Sequence, residues 1–457
     1  MPETSVSSTQ DIIRNIDDLF IPLHTAMKPR DRYRIGAEGE KFGVFVADGS
    51  PLPYDGPRSV LTVLHALVER HGWKAESEYP SGPIIALERA GASITLEPGG
   101  QLELSGAAFD NVHQICLEMS GHLAELRDIS AELGITFLGV GFHPLARQED
   151  LPWVPKSRYG IMNRYLPLRG TGGLDMMRRT STVQANFDYS SEDGAMRSLC
   201  IALRLSPVVT AMFANSPFDE GKVWGGKSRR AHTWLDVDPA RQGLLESVIH
   251  GRRKFIDYVE WALDAPMFLI KRDGVVLENT GQSFRSFMDY GFRGHRATQT
   301  DWQTHLNTLF PEVRLKRTIE VRGADAQSSA TTCALSALWT GILYDDRALD
   351  EAEALTESFT FAELDALRPA IARDALGATF RGEPLAALAE RVLSVAEGGL
   401  ARRARMRNGK DERVHLARLG ALVSKGQCPA DALLQGLDAN ASGTHLQREI
   451  IARTRLI

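Results

Sequence analysis

Residues 91–107 read GASITLEPGGQLELSGA, two alternating runs joined by Pro98-Gly99-Gly100. In the first run Ser93, Thr95 and Glu97 alternate with Ile94 and Leu96; in the second Gln101, Glu103 and Ser105 alternate with Leu102 and Leu104. Successive side chains of a strand point to opposite faces, so each run has one apolar and one polar face, and the break between them reads as the turn of an antiparallel hairpin. Upstream, Ile84 to Glu88 is a further strand closed by Ala90-Gly91, and Tyr33 to Val46 alternates until Asp48-Gly49-Ser50-Pro51 stops it. Helical spacing marks Asp11 to Met27, ended by Pro29, then Ser59 to His71, and Asn111 to Leu133, ended by Gly134 and followed by a short strand from Ile135 to Gly139. Leu151 to Leu174 is rich in Pro, Gly, Arg and Tyr without a period, the texture of an active-site loop. Strand alternation returns at Ser181 to Tyr189, a helix carrying Met196 to Leu205 runs into a break at Ser206-Pro207, and the last strand signal lies at Ile319 to Arg322. After about Asp346 the composition turns to Ala, Leu, Glu and Arg at helical period. Helices alternating with hairpins, without regular βαβ spacing, predict an α+β fold with a mainly antiparallel sheet. The expected organisation is a core over residues 1–345 and a helical segment over 346–457 packed on it as one continuous domain.

Sorting each strand by face shows one chemical theme. Glu38 shares a side with Glu40; Ser93 and Thr95 with Glu97; Gln101 with Glu103 and Ser105; Thr182 with Gln184, Asn186 and Asp188; Arg314 with Lys316, Thr318, Glu320 and Arg322. Solvated faces ordinarily mix both charge signs, whereas here acids and amides gather on the first four faces and cations on the last. Clustered carboxylates repel unless a cation lies between them, and hard oxygen donors suit magnesium or manganese. Arg314, Lys316 and Arg322 are then placed to hold phosphate oxygens bridged to the same metal. Arg158, beside Tyr159, and Arg230, beside Trp234, carry forks suited to a small carboxylate.

The chain has 457 residues with 43% hydrophobic content, enough for a large core. Its 53 basic and 58 acidic residues leave a net charge of -5, so no overall basic field exists for nucleic acid or an anionic membrane. No apolar run is expected to span a bilayer, and Met1 to Gln10 lacks the features of a secretory leader. Cys116, Cys200, Cys333 and Cys428 are scattered without a CxxC pair, which predicts no metal knuckle and no disulfide framework and favours a reducing cytoplasm. Gly221 to Ser228 matches GxxxxGK[ST], but the lead-in from Asn215 to Glu220 is turn-rich and Arg229 to Pro239 reads as non-helical, so the P-loop reading is set aside. His113 and Cys116 share a helix face without a third partner and read as core residues; Asn440-Ala441-Ser442 is a sequon without a secretory context.

At IGAEGEKFGV (35–44), GASITLEPGGQLELSGA (91–107), GLDMMRRTSTVQANFDYSSE (173–192), FANSPFDEGK (213–222), RRAHTWLDVD (229–238) and HLNTLFPEVRLKRTIEVRGAD (305–325), the chain resembles the plant-type and proteobacterial glutamate-cysteine ligases. That family is similar in fold to glutamine synthetase, which implies a curved, bowl-shaped sheet with helices outside. The resemblance implies ATP-dependent joining of the glutamate γ-carboxylate to the amino group of L-cysteine through a γ-glutamyl phosphate, the first step of glutathione synthesis. It places Glu38, Glu40, Glu97, Glu103, Gln184 and Glu320 on metal-facing strands, with Glu38, Glu320 and Arg322 as catalytic groups. Lys316, Arg314 and Asn186 would face ATP, and Arg158, Arg230, Trp234 and Tyr159 the amino-acid substrate. Magnesium or manganese and ATP are the implied cofactor and co-substrate, in a monomer or homodimer. The chain departs from the family's pattern at Gly39, Ser181 and residues 326–332. The last departure keeps a different acceptor amine, or another thiol pathway, as an alternative. A binding module without turnover is disfavoured by the complete acidic set. Nothing in the four cysteines supports the paired-cysteine control known in plant members.

Overall fold

The sheet is built around β1 (Ile35–Phe45) in a computed structural model that describes residues 12–441 and 443–457. The leader reading of Met1 to Gln10, Asp11 of the opening helix and Ser442 of the sequon lie outside the described residues. The opening helix expected up to Met27 is instead a 3-10 turn at Ile16–Phe20 and the short helix α1 (Ile21–Thr25), with Ile12 bridged to Thr298, after which the chain enters β1. It then forms α2 (Val60–His71), β2 (Lys74–Ser77), β3 (Ile84–Arg89), β4 (Ala92–Leu96) and β5 (Leu102–Ser105). Next come α3 (Val112–Leu133), β6 (Ile135–Leu138), α4 (Ser157–Tyr165), α5 (Gly173–Arg179), β7 (Thr182–Phe187), α6 (Glu192–Met212) and α7 (Arg229–Thr233). β8 (Val313–Leu315), β9 (Ile319–Asp325), α8 (Ala334–Leu343), α9 (Asp346–Thr356), α10 (Phe361–Asp374) and α11 (Leu385–Arg403) complete the elements used below. The sheet order is β8-β9-β7-β1-β5-β4-β3-β2, with β6 on the far end of β1, and every pair is antiparallel. The protein is α+β, as expected.

The apolar face of the alternation packs into the core. Ile94, Leu96, Leu102 and Leu104 pack in one core cluster with Leu126 and Ile129 of α3; Val183, Ala185, Phe187, Ile319 and Val321 pack in another with α6 and α8. The second cluster also holds Leu349, Leu364, Leu388 and Leu400, so α9 to α11 share the core of the sheet. Sequence punctuation fixes the helix ends: Asn111 caps α3 through the Gln114 amide, and Gly134 closes it at a φ of 63° that only glycine adopts without strain.

Four local expectations fail for identifiable reasons. Residues 151–174 contain α4 and part of α5, whose short lengths leave too few turns for a period to show. α6 continues through Pro207 to Met212; Ser206 donates to the Ala202 carbonyl and the helix is buried on all sides, so tertiary packing overrides the break signal. That helix, 21 residues at mean hydropathy 1.3, is apolar and long enough to cross a membrane, contrary to the expectation of no such run, but it is buried against the sheet. Finally, Arg314 to Arg322 is a hairpin: the Lys316 amide donates to the Thr318 carbonyl at 3.0 Å, and Arg314 lies opposite Glu320.

Candidate active site

Register places the polar residues in rows across one face. Glu40 lies directly opposite Glu103, which lies opposite Thr95; Glu38 lies between Gln184 and Ser105; Asn186 lies opposite Glu320, which lies opposite Arg314. Opposed side chains in an antiparallel pair are about 5 Å apart at Cβ, so two facing carboxylates repel. Burial and the charge of Glu103, followed by that of Glu97, raise the Glu40 carboxyl well above the ordinary range. Glu38 is pushed up to about 8 by burial and by Glu320 and Glu103. Neutral donors steady both: Asn186 Nδ2 donates to Glu38 at 2.7 Å, and the Thr182 amide donates to Glu40 at 2.9 Å. Glu103 accepts from Thr95 Oγ1 at 2.6 Å.

Glu320 is in the opposite state. Burial alone would raise it, but Arg314, Lys316 and Arg322 hold it well below the carboxylate range. Arg314 binds it through Nε and Nη2 at 2.9 and 2.8 Å, Lys316 Nζ lies 3.0 Å away, and Arg322 contacts it while donating to Gln184 Oε1 at 2.6 Å. Arg314 spends Nη1 on the Asn307 and Leu309 carbonyls and is buried, so the expected phosphate contact is replaced by a brace on Glu320. Asn186 bridges Glu38 and the Thr318 hydroxyl, which occupies the amide proposed for ATP. Of the three cations on Glu320, Lys316 has the most accessible side chain, 26% exposed against 10% for Arg314 and 14% for Arg322.

The six expected metal ligands lie on one face, but among the described residues no three acidic, histidine or cysteine side chains converge as a metal-binding group. Glu320 is withdrawn from that set by its cations. The opposed pair Glu40–Glu103, with Glu38 and Glu97 beside it, fits a divalent cation in donor type and in its unbalanced repulsion.

Arg230 reaches the face from α7. Ser228 caps that helix by accepting from the Ala231 amide and donates to Asp325 at 2.9 Å. The P-loop look-alike therefore serves as the lead-in to a five-residue helix, which corrects the non-helical reading of residues 229–239. Arg230 donates to the Arg322 and Gly323 carbonyls at 2.8 and 3.1 Å and lies over the Trp234 ring. Tyr159 is buried and donates to the Leu96 carbonyl at 2.7 Å, while Arg158 is exposed at the rim with its guanidinium over the Tyr159 ring. A cavity opens beside Arg230 and Arg322, and its walls include Trp234, Phe310, Glu312 and Arg368. Glu312 and Arg368 were not singled out from sequence. Extending the alternation two residues back from Arg314 reaches Glu312, whereas nothing in the helical period of α10 distinguishes Arg368.

Cys116 and Cys333 are joined by a disulfide between α3 and the start of α8, with Cα atoms 5.9 Å apart, which corrects the expectation of four unpaired cysteines. Their sequence separation of 217 hid a proximity created by packing. Their neighbour His415 lies 3.3 Å from Cys116 Sγ and 2.9 Å from His113, so His113 and Cys116 do have further partners.

A profile described as glutamate-cysteine ligase family 2 (GCS2) matches residues 34–453. The chain is 43% identical over 436 residues to the chloroplastic glutamate-cysteine ligase of Arabidopsis thaliana, covering 95% of this chain and 81% of the relative. It is 42% identical over 435 residues to a chloroplastic glutamate-cysteine ligase B of Oryza sativa subsp. japonica, covering 94% and 85%. A crystal structure of a glutamate-cysteine ligase from Francisella tularensis in complex with AMP is similar at a TM-score of 0.53 and 14% identity, covering 92% of this chain and 88% of that one, a likeness of fold. The chloroplastic designation of the two sequence relatives overturns the cytoplasmic expectation drawn from cysteine spacing.

Proposed function

From the premise that this chain belongs to the glutamate-cysteine ligase family, we propose that it joins glutamate to cysteine at the polar face of β9, β7, β1 and β5 at the expense of ATP. The observation that carries this reading is the neighbourhood of two oppositely charged groups on one face: the opposed carboxylates of Glu40 and Glu103, and the cations of the β8–β9 hairpin around Glu320. The glutamate γ-carboxylate oxygen attacks the terminal phosphorus of ATP and ADP leaves. The cysteine nitrogen then attacks the acyl carbon, the C–O bond to phosphate breaks with its electrons on phosphate, and the ammonium proton is released.

Each group has a task set by its surroundings. Arg322 and Lys316 stabilise the charge that develops on the transferring phosphoryl oxygens, and Glu320 keeps both side chains extended over the sheet. Arg230 and Arg158 bind the substrate carboxylate, with Trp234 and Tyr159 as the aromatic surfaces beside them. Glu38, Glu40, Glu97 and Glu103 would hold magnesium or manganese, which supplies neutralisation of phosphate charge when bound.

The test is phosphate release by the purified full chain with glutamate and ATP fixed and a panel of amines varied, with the peptide product identified by mass. Cysteine-dependent release with γ-glutamylcysteine as product is expected. Equal or greater release without cysteine, or with another amine, would overturn the assignment of the acceptor.

A further inference from the structure

The cavity beside Arg230 carries one acid among three guanidiniums, and the backbone is shaped to admit it. β9 is bulged between Val321 and Ala324, which leaves Gly323 facing the cavity. A Cβ on Gly323 would stand 2.8 Å from Glu312 Oε2 and 2.8 Å from Thr210 Oγ1, so any larger residue would push that carboxylate from its place over the strand. Glu312 is tied to β9 by the Arg322 amide, which donates to its carbonyl at 3.1 Å, and by its own amide, which donates to the Gly243 carbonyl at 2.9 Å. Arg368 of α10 reaches Glu312 Oε1 at 3.4 Å and also donates to Asp365 and to the Trp234 carbonyl, which holds the acid from behind. Arg230 stands on the other side of Gly323, bound to the carbonyls of residues 322 and 323. Trp234, Phe310 and Leu244 supply apolar wall between the charges.

We propose that Glu312 receives the α-ammonium of the donor glutamate and so makes an unblocked amino group a requirement for that substrate. The proposal rests on the ligase reading above and adds a recognition residue to it. An α-amino acid presents a cation and an anion on one carbon, and Glu312 and Arg230 offer one oppositely charged group for each beside Gly323. With its carboxylate on Arg230 and its ammonium on Glu312, glutamate lies with its methylene groups along the apolar wall. Its γ-carboxylate then extends toward Arg322, whose guanidinium reaches Gln184 and Glu320 on the phosphoryl side of the face. Arg368 is a positioning residue, acting through Glu312. The C-terminal helical segment thereby takes part in substrate choice through α10.

The test uses the full chain and the analogue glutarate, which is glutamate without its amino group. Wild type is expected to bind glutarate at least about tenfold more weakly than glutamate, measured as competitive inhibition, because a charge-assisted hydrogen bond is lost. In Glu312→Gln the KM for glutamate rises by about tenfold or more while those for cysteine and ATP stay within about twofold, and discrimination against glutarate collapses. Gly323→Ala, which presses a methyl group against the Glu312 carboxylate, gives the same selective rise if Glu312→Gln fails to fold. Equal affinity of wild type for glutarate and glutamate overturns the proposal, as does an unchanged glutamate KM or a rise confined to cysteine. Formation of γ-glutamylcysteine by wild type reports separately on the ligase reading, so a failure of one is distinguishable from a failure of the other.

Discussion

The floor strands β1 and β5 and the hairpin β8–β9 carry the same acid in opposite states. Glu38 is pushed up to about 8 and Glu40 well above its ordinary range, while Glu320, more deeply buried, is held well below. Burial opposes ionisation in all three, so the neighbours decide: Glu103 faces Glu40, the charges of Glu320 and Glu103 act on Glu38, and three cations surround Glu320. Lys316 also acts on Glu38, and Arg230 and Arg322 act on Glu40, but burial and the neighbouring carboxylates outweigh them. Glu320 holds its three cations in place, whereas the carboxylates of β1 and β5 remain short of positive charge.

The largest effect that would test this contrast comes from Glu320→Ala. Removing the acid strands Arg314, Lys316 and Arg322 together, and loss of one partner of a buried charge network costs on the order of 3–5 kcal/mol. A large drop in denaturant midpoint together with loss of ligation is expected, and wild-type turnover with wild-type stability would break the comparison. Glu40→Gln acts in the other direction on stability: turnover with magnesium and ATP falls by about a hundredfold, while the ligand-free protein melts no lower than wild type because a repulsion is removed. A lower melting temperature would show that Glu40 is already compensated.

A pH series sharpens the same point. Glu38 titrates near 8 in the fold and near 4.5 unfolded. Between those values the native state binds the extra proton, so stability is highest below about 4.5 for this group and declines as pH rises toward 8. Thermal melts of the ligand-free chain from pH 5 to 8 are expected to fall from this contribution, and saturating magnesium and ATP to flatten the fall. A slope unaffected by these ligands would separate the carboxylates from cation binding. The smallest effect is expected at the rim: Arg158→Ala raises the glutamate KM by about threefold or less, since exposed charge pairs are weak. A larger effect than that of Arg230→Ala, measured in the same steady-state assay, would reverse the ranking of the two arginines.

Alternation made the polar faces of Glu38–Glu40, Gln101–Ser105 and Thr182–Asp188 legible residue by residue, because a strand's period of two does not depend on its neighbours. It could not state that Glu40 meets Glu103 or that Asn186 meets Glu320, since register is a relation between strands. The turn inside Arg314–Arg322 went unseen because a short hairpin preserves the parity of the run it interrupts. Cys116 and Cys333 were read as separate for a similar reason, their meeting being made by helices that pack under the sheet.

The sequence by itself determined the chemical inventory of this protein: which strands have an acidic face, which segment carries the cations, where α3 starts and stops, and a likeness to one ligase family. Those properties reside in local periodicity and in residue identity. Tertiary structure alone decided which acids repel and which are paired, converting one residue type into two electrostatic states, and it opened the cavity at Gly323 between Arg230 and Glu312. Charge states depend on distances between residues far apart in the chain, and only the packed sheet sets those distances.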